Sequence, residues 1–129
     1  MIFIYEGDAI MAKVLVVDDA IFVRAAIKKY VEKAGHEVVG EGGDGQEAVE
    51  VFEEVKPDAV IMDITMPRMS GLEALKAIKE KDKDVKVIMC SAMGQQDSIA
   101  TAIQYGATDF VIKPFTEEQI VAKIKQVLG

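Results

Sequence analysis

Three aspartates, a serine and a lysine stand at the ends of separate apolar runs. Asp18-Asp19 follow Lys13–Val17 (KVLVV), Asp63 follows Ala59–Met62 (AVIM), Ser91 ends Val85–Cys90 (VKVIMC) and Lys113 follows Asp109–Ile112 (DFVI). Each has an ordinary reading on its own. An aspartate there caps the next helix and favours its positive dipole end, a lone serine is a strand-end hydroxyl, and a lone lysine is a surface charge. Two successive aspartates are more than one cap needs. Gathered in one place, three carboxylates raise one another's pKa, and a hard divalent cation relieves the repulsion. Mg²⁺ suits such a set, because it takes one or two carboxylates, keeps several waters and accepts phosphate oxygens. A lysine balances the remaining charge, and a carboxylate held there can attack phosphorus in line.

Whether the five residues meet depends on the elements that carry them. Short β-branched runs alternate with longer helical periods along the chain. Besides the four runs above there is Glu37–Gly40 (EVVG), and three of the five are almost wholly apolar, as strands covered on both faces must be. Between the runs, apolar residues recur at helical spacing. The faces are Val23, Ile27, Tyr30 and Ala34; Ala48, Phe52 and Val55; Leu72, Leu75 and Ile78; Ile99, Ala102 and Ile103; and Ile120, Ile124 and Val127. Asp44…Glu47, Ser70…Glu73 and Thr116…Gln119 each set a capping side chain three residues before Glu or Gln. Gly35 and Gly106 fall where the first and fourth helices should stop, as left-handed C′ residues. The expectation is a single α/β domain, a doubly wound (βα)5 unit with right-handed crossovers and helices on both faces of a parallel sheet. Ligands of such a sheet bind outside the carboxyl ends of the strands, where all five residues fall.

Composition narrows the function classes. The chain has 129 residues, enough for one core that needs no staple. Half of them are hydrophobic and 29% are charged, as in ordinary folded domains. A net charge of −7 argues against nucleic acid or an anionic membrane as partner, both of which need clustered positive charge. One cysteine, Cys90, excludes an intramolecular disulfide and suits the reducing cytoplasm. No apolar run reaches the about 20 residues a membrane helix needs. Residues 1–10 are too short and too acidic for a signal peptide, and Met11-Ala12-Lys13 reads as a natural start. Residues 1–11 are thus expected to be an extension of unknown role and residues 12–129 the domain, with no output domain following the fifth helix.

The segments VLVVDD (Val14–Asp19), DAVIMDITMPRMSGLEAL (Asp58–Leu75), VIMCSA (Val87–Ala92) and DFVIKPF (Asp109–Phe115) resemble response-regulator receiver domains, in order and spacing, over Lys13 to Gly129. The stand-alone architecture is similar to the single-domain chemotaxis members. The resemblance implies a five-stranded sheet of order 2-1-3-4-5 and Asp63 as the residue phosphorylated by a histidine kinase. It implies Mg²⁺, for which Mn²⁺ can substitute, on Asp19, Asp63 and the backbone carbonyl of Thr65, with Asp18 acting through a water. Ser91 and Lys113 would contact the phosphoryl group, the Lys113-Pro114 bond would be cis, and Phe110 would be the aromatic switch. Serine here keeps the hydroxyl of the family's usual threonine, whereas Phe110 in place of the frequent tyrosine leaves a switch by packing alone. The partners implied are a CheA-like histidine kinase and an output protein such as a motor switch or adaptor, with a phosphatase in addition. The chain would act as a cytoplasmic monomer rather than as an enzyme on external substrates, and helix 4, strand 5 and helix 5 would form the readout surface.

Rival functions lack their residues. A flavin mononucleotide carrier of this fold class needs a Ser/Thr/Gly-rich loop where Asp18-Asp19 stand. A dehalogenase-type phosphatase needs a second acid two residues after its nucleophile, and Thr65 stands there. A phosphorelay intermediate passing phosphate to a histidine-containing protein is the alternative within the family. His36, the one histidine, reads as structural or solvent-exposed on the strand-start side. Cys90 reads as core, and Met66, Met69 and Met93 as packing or an adaptable docking surface.

Overall fold

In a computed structural model describing residues 11–129, five strands and five helices alternate without exception. They are β1 (Lys13–Val17), α1 (Ile21–Lys33), β2 (Glu37–Gly42), α2 (Gly45–Val55), β3 (Ala59–Asp63), α3 (Gly71–Lys81), β4 (Lys86–Ala92), α4 (Gln96–Gln104), β5 (Asp109–Lys113) and α5 (Glu117–Leu128). The sheet order is β2-β1-β3-β4-β5 and every pairing is parallel. The fold class expected from the sequence and the strand order implied by the resemblance both hold. The extension expected over residues 1–11 lies, except for Met11, outside the described residues.

The period-two alternation of the strands divides the core between two faces. Val14, Val16, Ile61, Ile88, Cys90 and Val111 meet Ile27 and Val31 of α1 and Ile120 and Ile124 of α5. Leu15, Val17, Val60, Met62, Val87 and Met89 meet Phe52, Leu75, Ile78 and Ala102 on α2, α3 and α4. Burial on both faces explains why the central strands carry no alternating polar residue. Each fully buried aliphatic side chain contributes about 1.5–3 kcal/mol.

The helix punctuation follows the sequence with two differences. Ser70 and Thr116 form complete capping boxes with Glu73 and Gln119. Asp44 caps α2 by accepting from Glu47 N–H at 2.8 Å, but the Glu47 carboxylate reaches back to Gly43 N–H rather than to Asp44. Gly35 and Gly106 take the expected positive φ, and so, unforeseen, does Lys56 at the end of α2. On α4, Ile103 is 56% exposed and only Ala102 is fully buried, so the expected apolar face is thinner than its periodicity suggests.

Four strands run one or two residues further toward their carboxyl ends than their apolar runs predicted. Asp63, Ser91 and Lys113 thus belong to the strands themselves rather than to the loops after them. The backbone ladder continues through these polar residues because the sheet satisfies their peptide groups whatever the side chain.

Candidate functional site: an acidic cleft at the strand ends

The sheet order reverses at β1, which has β2 on one side and β3 on the other. The crevice opened there lies outside the carboxyl ends of β1 and β3, at Asp18-Asp19 and Asp63. One carboxylate oxygen from each of the three aspartates falls within 4.8 Å of the others. The lysine ending β5 joins them: Lys113 Nζ lies 2.7 Å from Asp18 Oδ2 and 3.4 Å from Asp63 Oδ2. The four charges that the sequence set at separate strand ends therefore meet in one cleft.

Their roles differ by environment. Asp18 is fully buried, and both its oxygens are occupied, Oδ2 by Lys113 and Oδ1 by Ala20 N–H at 2.9 Å. Asp19 is exposed, and Asp63 is buried, with Lys113 as its ion-pair partner among the described residues. Neither Asp18 nor Asp19 caps α1, whose N-cap is Ala20 with no side-chain bond. Burial pushes the Asp63 carboxyl above the ordinary carboxylate range, the charges of Asp18 and Asp19 push it the same way, and Lys113 opposes them. Burial works against the Lys113 ammonium, yet its bond to Asp18 and the charge of Asp63 outweigh that and leave its pKa raised.

Ser91 lies on β4 between Cys90, paired with Asp63 in the strand register, and Ala92, paired with Lys113. Its hydroxyl is fully buried and has no hydrogen-bond partner. An unpaired buried hydroxyl costs roughly 1–3 kcal/mol. Phe110 on β5 is half-buried against the α2–α4 side of the core. It lines a cleft of about 620 Å³ with Met93, Gln96, Ile112, Lys113 and Lys123, which spans α4, β5 and α5. The Lys113–Pro114 peptide is cis, as the resemblance implied.

The loop after β3 is held tightly. Gly71 N–H donates to Ile64 O at 2.7 Å, and a Cβ on Gly71 would strike the Asp63 carbonyl. Arg68, at φ +66°, donates through Nε and Nη2 to Asp44 Oδ2 at 3.0 and 2.6 Å, tying this loop to the head of α2. No sequence signal marks that pair, because a left-handed arginine and a capping aspartate 24 residues apart share no motif. Nor does one mark Gln95, whose side chain spans Ala92 and Thr65.

Other residues settle plainly. His36 is buried and structural, its Nδ1 accepting from Ala12 N–H at 2.9 Å and its Nε2 lying 3.2 Å from Gly129 O. Cys90 is core, and burial pushes its thiol up to about 12. Met66 and Met69 pack into the core, which leaves Met93, 75% exposed, as the only one of the three open to a partner.

A parallel 2-1-3-4-5 sheet with a three-carboxylate cleft, a strand-end lysine and an unpaired strand-end hydroxyl defines a class. Residues 14–125 match the response regulator receiver domain. The chain belongs to the response-regulator receiver family. It is similar, at 50% identity over 115 residues, to the chemotaxis protein CheY of Thermotoga maritima, covering 89% of this chain and 96% of that one. The CheY of Listeria monocytogenes is 52% identical over 116 residues, covering 90% and 98%. Among solved structures, the CheX-CheY-BeF3-Mg complex of Borrelia burgdorferi matches with a TM-score of 0.85 and 32% identity, over 91% of this chain and 89% of that one. The domain is thus a CheY-like receiver of two-component signalling, a signalling protein whose acidic cleft could hold a metal ion. Among the described residues, no helix is long and apolar enough to cross a membrane.

Proposed function

We propose that Asp63 accepts a phosphoryl group from a phosphohistidine on a kinase partner, and that the modified domain switches to bind an output protein. The observation that carries this is a buried Asp63 in the three-carboxylate cluster, on the strand beside the one that bears the orphaned hydroxyl of Ser91. Asp19 and Asp63, with the Thr65 carbonyl, would hold Mg²⁺, because both oxygens of Asp18 are already engaged. When bound, the cation neutralises the crowded carboxylates and the phosphoryl oxygens.

The remaining chemistry belongs to the side chains. A carboxylate oxygen of Asp63 forms the new O–P bond as the P–N bond of the donor breaks, and the electron pair returns to the partner's imidazole. Lys113 lies between Asp18 and Asp63 and can follow the charge onto the transferred group. The product adds negative charge and three acceptor oxygens, which give the Ser91 hydroxyl a partner. Drawing Ser91 forward frees room for Phe110, a two-state packing change biased by a local charge event. The cleft across α4, β5 and α5 is then the readout surface. Likeness to CheY favours a CheA-like kinase and a motor-switch or adaptor target in the cytoplasm, with a phosphatase resetting the monomeric protein.

The test is mass spectrometry of the chain after incubation with acetyl phosphate and Mg²⁺. One phosphoryl group should appear, EDTA should prevent it, and Asp63→Asn should abolish it. Labelling of Asp63→Asn at the wild-type rate would sink the assignment.

A further inference from the structure

Gln95 stands at the head of α4 without serving that helix. It occupies the N-cap position, yet its side chain makes no hydrogen bond into the first turn. It turns back instead. Its Oε1 accepts from Ala92 N–H at 2.6 Å, and its Nε2 donates to Thr65 Oγ1 at 2.8 Å. A primary amide is the side chain that offers an acceptor and a donor together on one rigid plane, and the Ala92 N–H fixes which end points where. One anchor is therefore peptide-bonded to Ser91, and the other is two residues past Asp63. Among the described residues, this is the only side-chain hydrogen bond joining the loop after β3 to the loop after β4.

We propose that Gln95 is a positioning residue of the phospho-acceptor site: it latches the end of β4 to the loop after β3 in the unmodified chain, and so sets how readily Ser91 moves toward Asp63. The inference rests on the phospho-acceptor reading given above. The peptide plane between Ser91 and Ala92 is rigid, so a backbone shift of Ser91 toward an acceptor on Asp63 carries Ala92 with it. Ala92 N–H must then leave Gln95, or Gln95 must leave Thr65, because the two anchors sit on different loops. The latch favours the resting arrangement by what one such bond is worth. Ala92 and Thr65 are exposed, so water replaces the lost contacts and the bias stays small enough for a phosphoryl group to overcome.

The test uses the full chain as wild type, Gln95→Ala, Thr65→Val and the double variant. Thr65→Val keeps the backbone carbonyl that the metal would use and removes only the hydroxyl. Amide exchange at Ala92, followed by NMR in the unmodified protein, should quicken in Gln95→Ala. Initial labelling by acetyl phosphate with Mg²⁺ should rise about two- to tenfold in Gln95→Ala, the range one ordinary hydrogen bond spans. It should rise less in Thr65→Val and no further in the double than in Gln95→Ala, since both changes open one bridge. Unchanged Ala92 exchange in Gln95→Ala, or a double-variant rate equal to the product of the single effects, overturns the latch. Wild-type protein that takes no label overturns the phospho-acceptor reading itself, which keeps the two failures distinct.

Discussion

At the edge where the strands begin, polar groups are closed into mutual bonds; at the edge where they end, several are left crowded or unpaired. On the first edge, Lys13 N–H donates to Asp58 Oδ2 at 2.9 Å, Asp58 N–H to Lys13 O at 2.8 Å, and Lys86 N–H to Asp58 O at 3.1 Å. Val87 N–H and Thr108 Oγ1 pair at 3.0 Å, and His36 joins Ala12 to Gly129. On the second edge stand a buried carboxyl with a raised pKa, a hydroxyl with no partner, and Ile21, Phe22 and Met93, each at least 73% exposed. One sheet thus spends its two ends differently. The strand-start edge satisfies its backbone and side chains and so contributes stability. The strand-end edge keeps charge and hydrogen-bonding capacity in reserve, which costs stability and, on the function proposed above, is met by a cation and an incoming anion.

Asp18 should break that division most strongly. It sits on the acidic edge, yet burial and its bonds to Lys113 and Ala20 make it part of the framework. Asp18→Ala leaves the half-buried Lys113 ammonium with only its longer contact to Asp63 and the Ala20 N–H without its acceptor, and should cost about 2 kcal/mol in a urea melt. Asp19→Ala, at an exposed site, should change stability by less than about 0.5 kcal/mol. The same Asp19 change should lose most divalent-cation affinity by calorimetric titration. Equal stability losses in the two variants would show that the three carboxylates form one undifferentiated cluster.

Similar in size is His36→Ala on the opposite edge. It leaves the Ala12 N–H without its acceptor and opens a void under the start of β1, for a loss of about 2 kcal/mol. Labelling by acetyl phosphate should be unaffected below the melting range. A labelling defect at matched folded fraction would mean that the two edges are coupled.

The smallest effect sharpens the contrast by its sign. With its pKa raised by burial and by Asp18 and Asp19, Asp63 binds its proton more tightly in the folded chain than in the unfolded one. Its favourable contribution is therefore full below the ordinary carboxylate pKa and is lost as pH rises through the folded value. In metal-free buffer at neutral pH, Asp63→Asn should be more stable than wild type by about 1 kcal/mol, on the scale of ordinary point substitutions. The gain should vanish below the ordinary carboxylate range and in saturating Mg²⁺. A variant no more stable than wild type at neutral pH without metal would mean that Lys113 alone already balances the site.

The fold was legible because its signals are local and repeat. Apolar runs such as Ala59–Met62 lie between helical periods such as Leu72, Leu75 and Ile78, and strict alternation leaves few topologies open. The acidic cleft was legible for the same reason, since a strand-end residue stays at the strand-end edge however the sheet is ordered. Three things were not. The exposure of Ile103 depends on how closely α4 lies against the sheet, and the periodicity of its residues does not carry that. The family resemblance implied different roles for Asp18 and Asp19, but the physical basis, that Asp18 is the one facing Lys113 from 95 residues away, is not written in the order of residues. The links from Arg68 to Asp44 and from Gln95 to Thr65 join loops that meet only once the sheet has formed.

The sequence by itself determined which residue types stand at the carboxyl ends of the strands, and hence that carboxylates, a hydroxyl and an ammonium share one edge. Burial, alternation and capping are properties of near neighbours, and near neighbours are written in order along the chain. Only the tertiary structure supplied the physical state behind each role: that Asp18 is held, Asp19 is open, the pKa of the Asp63 carboxyl is raised by burial and Ser91 is left unpaired. Those assignments come from desolvation and from contacts across different loops. Both are set by distance in space, which the order of residues does not encode.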